Sequence, residues 1–138
     1  AQIKTKTVLL QFILEMWKKG FVTENDTSGR NTVEKEMVSY IQQNFTGTIS
    51  LKEFGEQFHL SEKYISRYFK EHFHITISQY VTYLRLKHAK QLLQDTDIPV
   101  TEIAMQSGYQ NISYFIRSFK KTYEVSPLQY RKNKLTEI

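Results

Sequence analysis

The residues best suited to bind a ligand lie between Ile112 and Lys121. Phe115 and Phe119 are one helical turn apart and mark the inward face of a helix. Ser113, Ile116, Arg117 and Lys120 then fall on or near the opposite face, with Ile112 and Lys121 at its margins. An arginine there can grip the O6 and N7 of a guanine, and an isoleucine can touch a thymine methyl. Lysines beside them suit phosphates. A surface arginine on an ordinary helical hairpin carries the same residue types, so this stretch alone leaves both readings open.

A second copy shifts the balance. With Arg67 set under Arg117, the chain repeats at an offset of fifty residues. Tyr64 then matches Tyr114, Phe69 matches Phe119, Lys70 matches Lys120, and Gln79-Tyr80 matches Gln129-Tyr130. Upstream the offset is forty-nine, with Phe54-Gly55 under Ile103-Ala104 and Gln57 under Gln106, so the second turn is one residue longer. Packing alone explains a repeated core stripe. It does not explain a repeated outward arginine and lysine. In the first copy the outward set is Glu62, Lys63, Ser66 and Arg67. Arg67 has the best donor fork for a base edge, Lys63 suits a base or a phosphate, and Glu62 can accept from a cytosine amine.

Other chemistry is poorly supplied. There is no cysteine, hence no thiolate metal site and no cysteine nucleophile. His72 and His74 form a His-x-His pair without a third ligand at an obvious spacing. No triad, metal cage or phosphate-binding glycine loop is visible, so the expectation is no enzyme, no metal and no cofactor.

These side chains need helices to hold them. Val100, Ile103 and Ala104 recur at helical spacing before Ser107-Gly108-Tyr109 breaks the pattern, and Asn111 can cap the helix that follows. Ser50 caps Leu51 to Phe58, and Ser61 caps Glu62 to Phe73. Thr32 opens a packing helix to Asn44, with Val33, Met37, Ile41 and Phe45 inward and Glu34 in its first turn. A long helix runs from Thr76 or Ser78 to about Gln94, with Arg85, Lys87 and Lys90 facing phosphates or solvent. At 1.5 Å per residue it spans roughly 27 Å, near the roughly 34 Å between successive major grooves on one duplex face. Pro99 bars its continuation, and Ser126-Pro127 starts a short last helix with a basic tail at Arg131, Lys132 and Lys134. Helix amides near Ser50, Ser61, Thr101 and Asn111, with Lys70, Lys120 and Lys121, form the expected phosphate-holding set. Residues 3–19 read as an amphipathic helix, and 22–31 as a polar linker.

Charge agrees with this layout. The net charge is +5, yet residues 1–60 hold seven basic and seven acidic side chains, so the excess lies in 61–138. Basic charge favours a polyanion, because Lys and Arg displace counterions from phosphates. A soluble surface with nothing to bind would show a similar total. The longest apolar run, Val8 to Trp17, is too short to span a bilayer, and no secretory signal is visible.

Gly108-Tyr109, Ser113-Tyr114-Phe115, Phe119-Lys120-Lys121 and Ser126-Pro127-x-x-Tyr130-Arg131 resemble the signature of the AraC/XylS family of bacterial transcription regulators. The resemblance covers about Thr32 to Lys132, with Glu124 standing where the family often has glycine. It implies an all-α fold with two helix-turn-helix subdomains joined by a long linker helix, preceded here by the N-terminal amphipathic helix. The expected layout is 1–21 as the end of an upstream sensor or dimerisation domain and 22–31 as linker. A DNA-binding domain over 32–138 follows, with motifs at 50–73 and 100–123 around the linker helix 76–94. The chain begins at Ala1 rather than Met, which also suggests a fragment. Implied partners are double-stranded DNA, RNA polymerase, and a sensor domain or second copy through residues 3–19. The implied place is the cytoplasm, and the implied role is activation or repression of transcription. The rival from another class is a helical protein-interaction module that binds an acidic partner through its basic face. It leaves the repeated outward arginines unexplained.

Overall fold

The computed structural model describes residues 32–136. Among them are seven α-helices and no strand: α1 Thr32–Asn44, α2 Leu51–Phe58, α3 Glu62–Phe73, α4 Ile77–Asp95, α5 Val100–Gln106, α6 Ile112–Tyr123 and α7 Pro127–Thr136. The amphipathic helix expected over 3–19 and the linker over 22–31 lie outside the described residues.

Local chemistry sets most helix starts. Ser50 Oγ accepts from the Glu53 amide at 3.2 Å, Ser61 Oγ from Tyr64 at 3.1 Å, and Asn111 Oδ1 from Tyr114 at 2.9 Å. Each satisfies one of the amides that a helix leaves without an internal partner. Thr76 and Gln79 cap α4 reciprocally: Thr76 Oγ1 accepts from the Gln79 amide at 3.0 Å, and Gln79 Oε1 from the Thr76 amide at 2.9 Å. Ser126 Oγ accepts from the Gln129 amide at 3.1 Å, one turn into α7.

The helix ends repeat as well. α3 stops on His74 at φ 64° and α6 on Glu124 at φ 69°, both left-handed. The His74 amide donates to Lys70 O at 2.9 Å and the Glu124 amide to Lys120 O at 2.8 Å. Glu124 therefore keeps the turn in which glycine would be easier. In the turns that join each helix pair, the Leu60 amide donates to Gly55 O at 2.8 Å and the Tyr109 amide to Ala104 O at 2.9 Å. These bonds keep the offset of forty-nine and the caps Ser61 and Asn111 an offset of fifty, so the extra residue of the second turn is Gln110. His59 at φ 57° and Gly108 at φ 103° occupy matching places before it.

The helices fall into two compact units, with the division inside α4 between Val81 and Thr82. In the first, α1 buries Met37, Val38 and Ile41, α2 buries Phe54, and α3 buries Ile65, Phe69 and Phe73. Tyr80 is buried against Phe69, ring centroids 5.9 Å apart. The second unit contains the Phe45–Thr48 turn and all that follows Thr82. Its core is Leu86, Ala89 and Leu93 of α4, Ile103 and Ala104 of α5, Tyr109, and Phe115 and Phe119 of α6. Each fully buried phenylalanine contributes about 1.5–3 kcal/mol, so the Phe115 and Phe119 stripe fixes which side of α6 is left outward.

Two basic side chains differ from expectation. Arg85, expected to face phosphates or solvent, donates from Nε to Phe45 O at 2.7 Å and from Nη2 to Gly47 O at 3.1 Å. Arg131, expected in a basic tail, donates to Leu93 O at 3.3 Å and Thr96 O at 3.1 Å. Both satisfy backbone carbonyls that a turn or a helix end leaves without partners. Lys90 Nζ sits 5.0 Å from the Tyr123 ring centroid, a cation–π contact on the same unit.

Candidate nucleic-acid interface

α3 and α6 are both twelve residues long. Each turns its large apolar side chains into its own unit and leaves a polar row outside. On α3 the row is Glu62, Lys63, Ser66, Arg67 and Lys70, all exposed, while Ile65 and Phe69 are wholly buried. On α6 the exposed row is Ser113, Ile116, Arg117, Lys120 and Lys121, against buried Phe115 and Phe119. The structure thus places all four expected base contacts of α3 on its outward row and three of the four of α6 on the other, each with its phosphate lysines. The exception is Ile112, which is half-buried and packed against the second core, so only part of it reaches the surface.

The phosphate set is less uniform. Ser61 and Asn111 are exposed caps at the starts of these two helices. Ser50 is half-buried, and both its backbone groups go to Tyr40, whose hydroxyl accepts from Ser50 N at 3.0 Å and donates to Ser50 O at 3.2 Å. Its amide is therefore already committed. Thr101 is exposed, in a seven-residue helix that opens on Pro99 without a side-chain cap.

The two rows differ in charge. α6 carries Arg117, Lys120 and Lys121 and no acid, whereas α3 sets Glu62 and Glu71 against Lys63, Arg67 and Lys70. Arg67 Nε lies 4.0 Å from Glu71 Oε1, with both side chains 66% exposed, and its guanidinium is 5.8 Å from the Tyr64 ring centroid. At that exposure the ion pair contributes little to stability. At the matching position Arg117 has Lys121 instead of an acid.

Sequence reasoning passed over some participants. Tyr64 and Tyr114 are 39% and 52% exposed, beside the outward rows. Their recurrence at the repeat offset was the available signal. The sequence offers His72 only as half of a His-x-His pair and Tyr68 only as a residue of the core rim. Both instead meet the buried Glu34 carboxylate, Tyr68 Oη at 3.1 Å and His72 Nδ1 at 3.0 Å. Burial and the Glu34 carboxylate push the Tyr68 phenol up to about 12. No group of three or more His, Asp or Glu among the described residues could hold a metal ion. No described helix is long and apolar enough to cross a membrane.

Two helix pairs, each with a tight turn and a capped second helix whose outward row is polar, define a tandem helix-turn-helix protein. Comparison with known proteins gives the family. A family model described as a helix-turn-helix domain matches residues 54–133. The melibiose operon regulatory protein of Escherichia coli K12 is 29% identical over 132 residues, which is 91% of this chain and 44% of that protein. The transcriptional activator RhaS of Mannheimia succiniciproducens is 35% identical over 109 residues, 78% of this chain and 41% of that one. Among solved structures, the C-terminal domain of AraT, a response regulator from Geobacillus stearothermophilus, superposes with a TM-score of 0.70 at 34% identity. That match covers 77% of this chain and 88% of the other. The chain belongs to the AraC/XylS family of transcription regulators. It spans about half the length of the curated relatives it matches.

Proposed function

We infer that the chain is the sequence-specific DNA-binding part of a transcription regulator, with α3 and α6 as reading heads for successive major grooves. One observation carries this reading. α3 and α6 share length, caps and an outward arginine followed three residues later by lysine, although only the inward positions are required by packing. In this reading Glu62, Lys63, Ser66 and Arg67 address one groove. Ser113, Ile116, Arg117 and the exposed part of Ile112 address the next. The arginines take guanine O6 and N7, and Ile116, 37% exposed, takes a thymine methyl. Helix amides at Ser61, Asn111 and Thr101, the Ser50 hydroxyl, and Lys70, Lys120 and Lys121 hold phosphates.

Because the motifs are tandem, the duplex site is asymmetric. The reading requires the two heads to meet the duplex about one helical turn apart. Further partners in this reading are RNA polymerase and a sensor domain or second copy engaged through residues 3–19. The protein works in the cytoplasm and catalyses no reaction.

A mobility-shift assay with random duplex, then with unlabelled competitor, tests the reading. The duplex should be retarded, and log K should fall linearly with log salt concentration. A chain that leaves every duplex unshifted, or whose binding is indifferent to salt, would point to the protein-interaction module instead.

A further inference from the structure

In the first unit a carboxylate is buried where the helix-turn-helix fold does not require one. Glu34 is 6% exposed. Burying an acid is costly unless its oxygens are hydrogen-bonded. Glu34 meets that need in three ways. It lies in the first turn of α1, where the helix dipole favours a negative charge. Its Oε1 accepts from Tyr68 Oη at 3.1 Å and stands 3.0 Å from His72 Nδ1.

Tyr68 and His72 are one turn apart on α3, with ring centroids 4.0 Å apart. One turn earlier, Tyr64 stacks on Tyr68 at 5.9 Å and an interplanar angle of 27°. The Arg67 guanidinium lies over Tyr64 at 5.8 Å, within cation–π range. An unbroken series of contacts therefore runs from buried Glu34 through Tyr68 and Tyr64 to Arg67. The second unit forms an equivalent α6 without this device. At the repeat offset Tyr68 becomes Ser118 and His72 becomes Thr122, and only the tyrosine at Tyr114 is kept.

We propose that Glu34 is a positioning residue for the first reading head: through Tyr68 and Tyr64 it sets where Arg67 is presented to DNA. The inference rests on the reading of Arg67 as a base-contacting residue. Glu34 itself stays buried and touches no nucleotide. Its effect is on selectivity at the base pairs that Arg67 reads.

The test uses the full chain. Arg67→Ala and Arg117→Ala first define which base pairs depend on each head, as ratios of affinity for a selected duplex and its single-pair variants. Tyr68→Phe removes one hydroxyl and keeps the ring stack, and Glu34→Gln removes the charge. Selectivity at the Arg67 pairs should fall about three- to tenfold in both, while selectivity at the Arg117 pairs holds. In an Arg67→Ala background, Tyr68→Phe should cause no further loss. A merely structural role would weaken binding to all sequences alike, or add to Arg67→Ala, and either result overturns the proposal. If Glu34→Gln does not fold, Tyr68→Phe alone decides. If Arg67→Ala relaxes a pair and Tyr68→Phe does not, this inference falls and the function stands. If Arg67→Ala relaxes no pair, the reading of α3 falls and the inference with it.

Discussion

A methyl group added at Gly55 would test how the first helix pair is closed. Its carbon would stand 2.2 Å from the Leu60 carbonyl oxygen and 3.2 Å from Ile65 Cδ1. Carbon–oxygen contacts ordinarily begin at about 3.3 Å, so the turn must retreat by about 1 Å. The Leu60 amide already donates to Gly55 O at 2.8 Å, which ties the turn to the same residue. Losing that bond costs about 1 kcal/mol, and overpacking adds about 1–3 kcal/mol. Gly55→Ala should therefore lose about 2–4 kcal/mol of stability in urea unfolding of the full chain followed by circular dichroism. It should also loosen the placement of α3 and blunt base preference at the Arg67 pairs. The repeat supplies a control. Ala104 occupies the matching place in the second motif and is wholly buried, so a Cβ is accommodated beside the longer turn. Ala104→Gly should cost only about 1 kcal/mol, the usual helix-interior difference. If Gly55→Ala matched the wild type within about 0.5 kcal/mol and kept its base preference, the close-approach reasoning would be wrong.

Three further outcomes can be checked. Gly108→Ala places a Cβ 2.8 Å from Phe45 O and 2.8 Å from Arg85 Nε at φ +103°; it should destabilise by about 2 kcal/mol or more in the same urea assay. Glu71→Ala should leave stability within about 0.5 kcal/mol, because its pair with Arg67 is exposed. It should tighten DNA binding about two- to fivefold at low salt, with the gain shrinking as salt is added; weaker binding would contradict a DNA-facing α3. Tyr68 and Tyr109 have phenols raised from 10.0 to about 12, Tyr68 by burial and Glu34, Tyr109 by burial partly opposed by Arg85. The folded state then holds protons that the unfolded state releases. These two groups stabilise fully below pH 10, and the contribution is lost as pH rises toward 12. Melting temperature should fall across that window, and less steeply in Tyr109→Phe.

The elements were legible because their ends are chemically marked. Ser50, Ser61 and Asn111 cap where their side chains and the following apolar spacing require, and Pro99 and Ser126-Pro127 separate the later helices. The outward rows were legible for a related reason: once Phe115 and Phe119, or Ile65 and Phe69, are assigned inward, the remaining positions are fixed by helical geometry. What could not be read were partnerships between distant segments. Glu34 looks like a first-turn acid on α1, and nothing local announces that it is buried against Tyr68 and His72, which lie thirty-four and thirty-eight residues on. Arg85 has the same appearance as any outward basic residue on a long helix. Only the folded chain shows that the Phe45 and Gly47 carbonyls claim it. The conformation of Glu124 was hidden for another reason: a left-handed helix end can be held by its hydrogen bond to Lys120 without glycine's freedom.

The most direct measurement is selection of bound sequences from a random duplex pool by the full chain, by Arg67→Ala and by Arg117→Ala. The selected site should be asymmetric, and each variant should lose about 1–3 kcal/mol of preference. The two losses should fall at different base pairs, about one helical turn apart. If both variants relaxed the same base pair, or if neither changed the selected sequence, the two-head account would be contradicted.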